Sequence, residues 1–224
     1  MPNQFELVME KVTINSIEIP GKTIARLSQY RRALLICVQR GKTHIFSHEI
    51  AALQHVTSVQ VRRDLMLIGF SGSLKQGYNI HRLIEVISSI LDSEEGINVA
   101  VVGLGNFGRA LINYFNGKRT RLSIVAAFDS DTNKIGTEYN SIYCYSPYNL
   151  EEVIKKKKIK IAILTVPPDK SVEVAKKLVN AGITGILNYT STPIEVPDHV
   201  FLDEYDMITT LEKAAFFVKS LSEQ

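Results

Sequence analysis

The run Gly103-Leu-Gly-Asn-Phe-Gly108 follows five residues, Asn98-Val-Ala-Val-Val102, that read as a buried strand. The G-x-G-x-x-G spacing alone is common. Placed directly after a strand and opening a helix at Asn106, it constrains the chain to a βαβ unit. Gly103 makes the tight turn, Gly105 lets the backbone approach a pyrophosphate, and Gly108 lets helix and strand pack closely. Leu104, Asn106 and Phe107 complete the turn. The helix start adds free N–H groups and a positive dipole end, which favour phosphate. Asp129 ends the next strand, about 20 residues past the loop, where a carboxylate accepts both ribose hydroxyls. It would repel a 2′-phosphate, so the pattern points to NAD(H) over NADP(H).

From Ile97 onward strands and helices alternate. Strands are expected at 98–102, 123–128, 159–165, 185–188 and 200–202, with helices at 106–116, 147–157 and 169–181. This rhythm predicts an α/β fold with a Rossmann-type, doubly wound parallel sheet over residues 97–205. A last helix, 207–222, lies in the C-terminal segment 206–224. Ligands of open α/β sheets sit outside the carboxyl ends of the strands. Thr165, Val166 and Pro167 at one such end, and Asn188 at the next, are therefore expected to line the nicotinamide half of the cleft.

The residues before Ile97 differ in charge. Residues 22–90 hold 10 Lys/Arg against 3 Asp/Glu, a net of +7, whereas residues 91–224 hold 15 against 17, a net of −2. That asymmetry predicts two domains, the first facing an anionic partner, with nucleic acid ahead of an idle basic surface. Helical spacing is expected over 23–40, over 48–54 capped by Ser47, and from Thr57 or Ser58 to Ile68. Gly69, Gly72 and Gly77 then bracket a hairpin ending at Tyr78-Asn-Ile80, and 82–92 is again an amphipathic helix. Three helices and a glycine-rich hairpin make a winged helix-turn-helix, residues 21–92, behind an extension, 1–20, to which the sequence gives no role. Arg62 and Arg63 on its third helix can reach guanine edges or clamp phosphates, Ser58 and Gln60 add polar contacts, and Lys75 belongs to the wing.

Other classes fit poorly. No apolar run reaches the roughly 18 residues of a membrane span, and the N-terminus lacks a secretory pattern, so a cytoplasmic location is expected. Cys37 and Cys144 have no metal-like spacing, and no metal site is expected. A dehydrogenase needs an acid or base beside the nicotinamide. The α/β part offers one histidine, His199, on a late turn, and Tyr114 and Lys118 match a Tyr-x-x-x-Lys pair only in spacing. No catalytic residue is expected, which disfavours an NAD-dependent oxidoreductase with a basic appendage. A scaffold binding RNA is disfavoured by the lack of an aromatic stacking platform in residues 22–90.

Taken together, the motifs resemble one family, the Rex redox-sensing transcriptional repressors. The matching stretches are Ile24-Ala-Arg-Leu-Ser-Gln-Tyr-Arg-Arg32, Ser47-His-Glu49, Val59-Gln-Val-Arg-Arg-Asp-Leu65, Gly77-Tyr78 and Val102-Gly-Leu-Gly-Asn-Phe-Gly108. Further on they are Ala127-Phe-Asp-Ser-Asp131 with Lys134 and Gly136, Leu164-Thr-Val-Pro167, and Ala181-Gly-Ile-Thr-Gly-Ile-Leu-Asn188.

The resemblance implies a homodimer on double-stranded operator DNA that NADH releases, while NAD+ competes without releasing it. It adds Arg31 and Arg32 to the DNA contacts and Lys134 to the cofactor site. It implies that the C-terminal helix is swapped between protomers, in keeping with the apolar Leu211, Ala214, Ala215, Phe216, Phe217, Val218 and Leu221. It also implies a switch, in which Asp206 pairs with Tyr114 when NADH is bound and with Arg32 in the DNA-binding form. The chain departs from the family at Arg62-Arg-Asp-Leu-Met-Leu-Ile-Gly69, in the wing 71–78, and at Met207, where a phenylalanine is usual.

Overall fold

A computed structural model describes residues 11–14, 17–115 and 121–222. The chain divides into two compact units, Met1–Ser93 and Glu94–Gln224.

The first unit opens with an antiparallel hairpin, β1 (Lys11–Ile14) against β2 (Ile17–Pro20), where the sequence had suggested only an extension. Helix α1 (Gly21–Gln39) starts at once after Pro20, and Gly41, at φ +77°, turns the chain away from its end. Helix α2 (Ser47–Gln54) is entered differently from expectation. Ser47 is its first residue, and the Phe46 N–H is held by the Glu49 carboxylate at 2.9 Å. Helix α3 (Ser58–Leu67) is capped by Thr57, whose Oγ1 accepts the Gln60 N–H at 3.1 Å. Val61, Leu65 and Ile68 are buried as their spacing predicts. The wing is a two-stranded sheet of β3 (His44–Ile45) and β4 (Tyr78–Asn79), so its partner strand lies before α2. Ser73 and Gly77 close its tip with reciprocal backbone bonds of 2.9 and 2.8 Å. Helix α4 (Ile80–Leu91) follows, two residues earlier than expected, because Asn79 caps it. Leu27, Tyr30, Leu34, Ile45, Ile50, Val61, Leu65, Ile80, Leu83 and Ile87 form one core, each large apolar side chain contributing about 1.5–3 kcal/mol.

The second unit is built on strands β5 (Ile97–Val102), β6 (Leu122–Phe128), β7 (Glu138–Tyr139), β8 (Ile142–Tyr145), β9 (Ile159–Leu164), β10 (Gly185–Asn188) and β11 (Phe201–Glu204). They lie side by side as β11-β10-β9-β5-β6-β8-β7. All pairings are parallel except β7 with β8. Without β7 the order is that of a Rossmann sheet, reversing between β5 and β9. Strands β7 and β8 were absent from the sequence reading. Asn140 and Ser141, at φ +49° and +63°, make the tight turn between them. Helices α5 (Asn106–Phe115), α6 (Leu150–Lys156) and α7 (Ser171–Asn180) lie between strands in sequence. Both faces of the sheet carry apolar clusters, one around Val102, Phe128, Leu164 and Ile186, the other around Val101, Ala127 and Ile163.

The chain ends in α8 (Met207–Ser222). Met207, Ile208, Leu211, Phe216, Phe217, Val218 and Leu221 are all more than half exposed on it.

Candidate functional site

The sheet reverses at the carboxyl ends of β5 and β9, and the glycine turn lies there. Gly103 has φ +101°, and a Cβ on it would stand 2.6 Å from the Thr165 carbonyl oxygen. A Cβ on Gly108 would stand 2.1 Å from the Gly103 carbonyl oxygen. These two glycines are required by the packing of the protein itself. Gly105 is not, because a Cβ there meets nothing within 4 Å. Its open face, at the N-terminal end of α5, is the space that a bound pyrophosphate needs. The residues present thus fit a dinucleotide.

Asp129 stands across the turn. One oxygen accepts the Leu104 N–H at 2.7 Å, and the other accepts the Asp131 N–H at 2.8 Å. The Lys134 ammonium is 3.0 Å from the same carboxylate. Leu104 therefore serves the turn through its backbone, since its side chain is buried in the core. Thr165 ties the turn to β9, donating its hydroxyl to the Val102 and Gly103 carbonyls at 3.1 and 2.8 Å. Val166 packs against the sheet core, while Pro167 and Asn106 are exposed beside the turn.

Asn188 ends β10. It is 1% exposed, and its amide is fully used inside the fold. Its Nδ2 donates to the Thr192 carbonyl and to Glu204 Oε1, each at 3.0 Å, and its Oδ1 accepts from the Thr190 N–H and hydroxyl. No hydrogen-bonding capacity is left on that side chain for a cofactor. The neighbouring Tyr189, which the sequence did not single out, contacts the glycine turn. Phe107 meets its ring edge-on at 5.3 Å, and Tyr205 stacks on it at 4.4 Å. Arg109 was not singled out either. It sits in the first turns of α5 with its guanidinium over the Tyr139 ring, 5.3 Å from the centroid.

Of the switch residues, Tyr114 is half exposed near the end of α5, edge-on to Phe115 at 5.3 Å. Asp206 caps α8, accepting the Ile208 and Thr209 N–H groups at 2.9 and 3.1 Å. Its bond from the Thr209 hydroxyl and these backbone bonds hold the carboxyl below its usual range. Arg32 is exposed on α1. Lys118, matched to Tyr114 in spacing, lies outside the described residues.

In the first unit, Arg62, Arg63 and Lys75 are exposed, and Arg62 Nη1 reaches the Ser47 hydroxyl at 3.3 Å. Ser58 is half-buried at the start of α3. Two of the expected DNA contacts have other work. Arg31 is buried and gives Nη1 to Asp92 at 2.7 Å and to the Ser88 hydroxyl at 3.3 Å, joining α1 to α4. Gln60 gives its amide to Asp64 at 2.9 Å. Asp64, buried on α3, also accepts from Arg26 at 2.6 and 2.7 Å and from the Tyr30 hydroxyl at 2.8 Å. Burial alone would push its carboxyl up, but the bonds from Arg26, Tyr30 and Gln60 outweigh it and hold it below the usual range. This cluster fixes α3 on α1.

Among the described residues no group of three His, Cys, Asp or Glu could hold a metal, and no helix is long and apolar enough to cross a membrane.

Comparison with known proteins gives a consistent picture. Residues 94–192 match a family described as a CoA binding domain, and residues 18–65 match one described as a putative DNA-binding protein N-terminus. The redox-sensing transcriptional repressor Rex of Carboxydothermus hydrogenoformans is 37% identical over 92% of this chain and 99% of its own length. Rex of Listeria welshimeri is 34% identical over 95% of this chain and 97% of its own. Among solved structures, the Rex-family repressor RSP in complex with β-NAD+ and operator DNA is 28% identical, with a TM-score of 0.83 over 91% of this chain and 94% of its own. RSP in complex with β-NADH gives a TM-score of 0.80 at the same identity, covering 91% of this chain and 96% of its own. With a winged first unit, a Rossmann second unit and this similarity along nearly its whole length, the chain belongs to the Rex family of redox-sensing transcriptional repressors.

Proposed function

We propose that this chain represses transcription in response to the balance of NADH and NAD+, holding operator DNA as a homodimer and releasing it when NADH binds. The observation that carries the reading is the open face of Gly105 at the start of α5, beside the Asp129 carboxylate. RSP, of the same fold, has been solved with β-NADH and with β-NAD+ and operator DNA.

In this reading Gly103, Gly105 and Gly108, with the backbone at Leu104, Asn106 and Phe107, hold the pyrophosphate. Asp129 takes the adenosine ribose, and Lys134 tempers its charge. Thr165, Val166, Pro167 and Tyr114 lie toward the nicotinamide. When bound, NADH differs from NAD+ by a hydride and by the lost ring charge. The protein reads that difference as a signal and performs no turnover. Asp206 leaves its partner Arg32 for Tyr114 as the DNA-binding form gives way. Arg32, Ser58, Arg62, Arg63 and Lys75 contact the DNA. The exposed apolar side chains of α8 favour its exchange between two protomers, since an apolar surface of that extent needs a cover. The protein works in the cytoplasm, where the cofactor pool and the DNA meet.

The test is a duplex selected by the protein from a random pool, then titrated with NADH, with NAD+ and with neither at fixed salt. NADH should weaken binding at least tenfold and NAD+ should not. Equal affinity in all three conditions would remove the sensor reading even if DNA binding stands.

A further inference from the structure

Helix α3 carries two apolar side chains where a DNA-facing helix would be expected to carry polar ones. Met66 is 74% exposed and Val59 is 47% exposed. At 3.6 residues per turn, positions seven apart fall within about 20° of each other. Val59 and Met66 therefore share one line along the helix, opposite the buried Val61, Asp64 and Leu65. Arg62 and Arg63 fall about 50° to either side of that line. The midline of the outward face is thus apolar and its two flanks are cationic. Arg62 leans toward α2, reaching the Ser47 hydroxyl at 3.3 Å, which draws its charge away from the midline. Asp64, held by Arg26 and Tyr30 of α1, fixes the rotation of α3, so this order of side chains is set by the fold.

A helix lying in the major groove turns its midline to the base edges and its flanks to the phosphate walls. The thymine methyl is the apolar feature of those edges. The flanking arginines supply the charge complementarity that seats such a face on DNA and on no neutral partner. Taking the chain as the DNA-binding repressor proposed above, we infer that Val59 and Met66 read thymine methyl groups, while Arg62 and Arg63 serve mainly the flanking backbone. The two side chains are about 10 Å apart along the helix axis, which runs at an angle to the DNA axis, so they span at most about three base steps. Each half-site should then hold two methyl-dependent thymine positions within about three base pairs of each other.

Deoxyuridine, which lacks only the methyl group, tests this. In the duplex selected by the wild-type chain, each thymine is replaced singly by deoxyuridine, and affinity is measured for wild type, Met66→Ala, Val59→Ala and Met66→Leu. The wild type should lose about three- to fivefold at two positions per half-site, as expected for one buried methyl each. Met66→Ala should abolish the loss at one of them and Val59→Ala at the other, while Met66→Leu keeps both. Both alanine variants should still release DNA with NADH, since neither side chain belongs to the cofactor unit. Methyl losses that persist unchanged in both alanine variants, or an absence of any loss in the wild type, would overturn the assignment while leaving the repressor reading intact. Failure to select any duplex would sink that reading, and this one with it.

Discussion

The Asp129 carboxylate accepts the backbone N–H of Leu104 at 2.7 Å, so the end of β6 holds the tip of the glycine turn that follows β5. The two loops that the proposed function assigns to one ligand are thus already fastened to each other. Hydrogen bonds to a charged group are worth about 1.5–3 kcal/mol. Replacing Asp129→Ala should weaken NADH binding by about 10- to 100-fold, read by quenching or enhancement of nicotinamide fluorescence. An affinity within twofold of wild type would refute this role for Asp129.

The three glycines of the turn should separate in their effects. Gly105→Val places its side chain in open space and should leave the melting temperature near that of wild type while abolishing NADH binding. Gly103→Ala and Gly108→Ala bring a Cβ to 2.6 and 2.1 Å of backbone oxygens and should destabilise the second unit whether or not cofactor is present. A Gly105 variant that binds NADH normally would place the pyrophosphate elsewhere.

Asn188 should behave as a structural residue. Its buried amide joins β10 to β11 through Glu204 and braces the turn through Thr190 and Thr192. Asn188→Ala strands several buried partners, and about 2–3 kcal/mol of stability should be lost in denaturant titration. NADH affinity, measured where the variant is still folded, should change by less than threefold. A large selective loss of NADH binding at full stability would restore Asn188 to the cofactor site.

Arg31 and Arg63, both expected to touch DNA, should part in the same way. Arg63→Ala should lower the slope of log affinity against log salt by about one, with the melting temperature unchanged. Arg31→Ala leaves Asp92 without its partner and should lower the melting temperature by about 5 °C or more. The reverse pattern would exchange their roles.

Asp64 makes the first unit sensitive to acid. Its folded pKa is held below the unfolded value of about 3.9, so its contribution is present above that pH. It is lost as pH falls through the folded value. Asp64→Asn should unfold more readily at pH 7, by about 3 kcal/mol, because Arg26 and Tyr30 lose a buried anion. The difference from wild type should shrink in denaturant titrations taken stepwise down from pH 4. A constant difference across that range would place the stabilising charge elsewhere.

Much of this was legible in the chain. The glycine turn, the strand before it and Asp129 were readable because each is a local requirement of residue type and spacing. The same holds for α1, α3 and α5, whose apolar periodicity marks the buried face. Strands β7 and β8 were not readable. They are short, and Asn140 and Ser141 take left-handed backbone angles that neither residue type demands.

The sequence by itself determined the two-unit plan, the parallel, doubly wound character of the sheet, the charge of the first unit and the position of the glycine turn. Each follows from periodicity, glycine placement or charge along a few neighbouring residues. Only the tertiary structure decided which polar side chains are free to act. Arg31, Gln60 and Asn188 have the right chemistry for ligands, but partners from 2 to 61 residues away in the chain already hydrogen-bond to them. Gly105 shows the converse. Its two neighbours in the motif are fixed by packing, and it alone opens onto space, a distinction that exists only once β5, β9 and α5 are brought together.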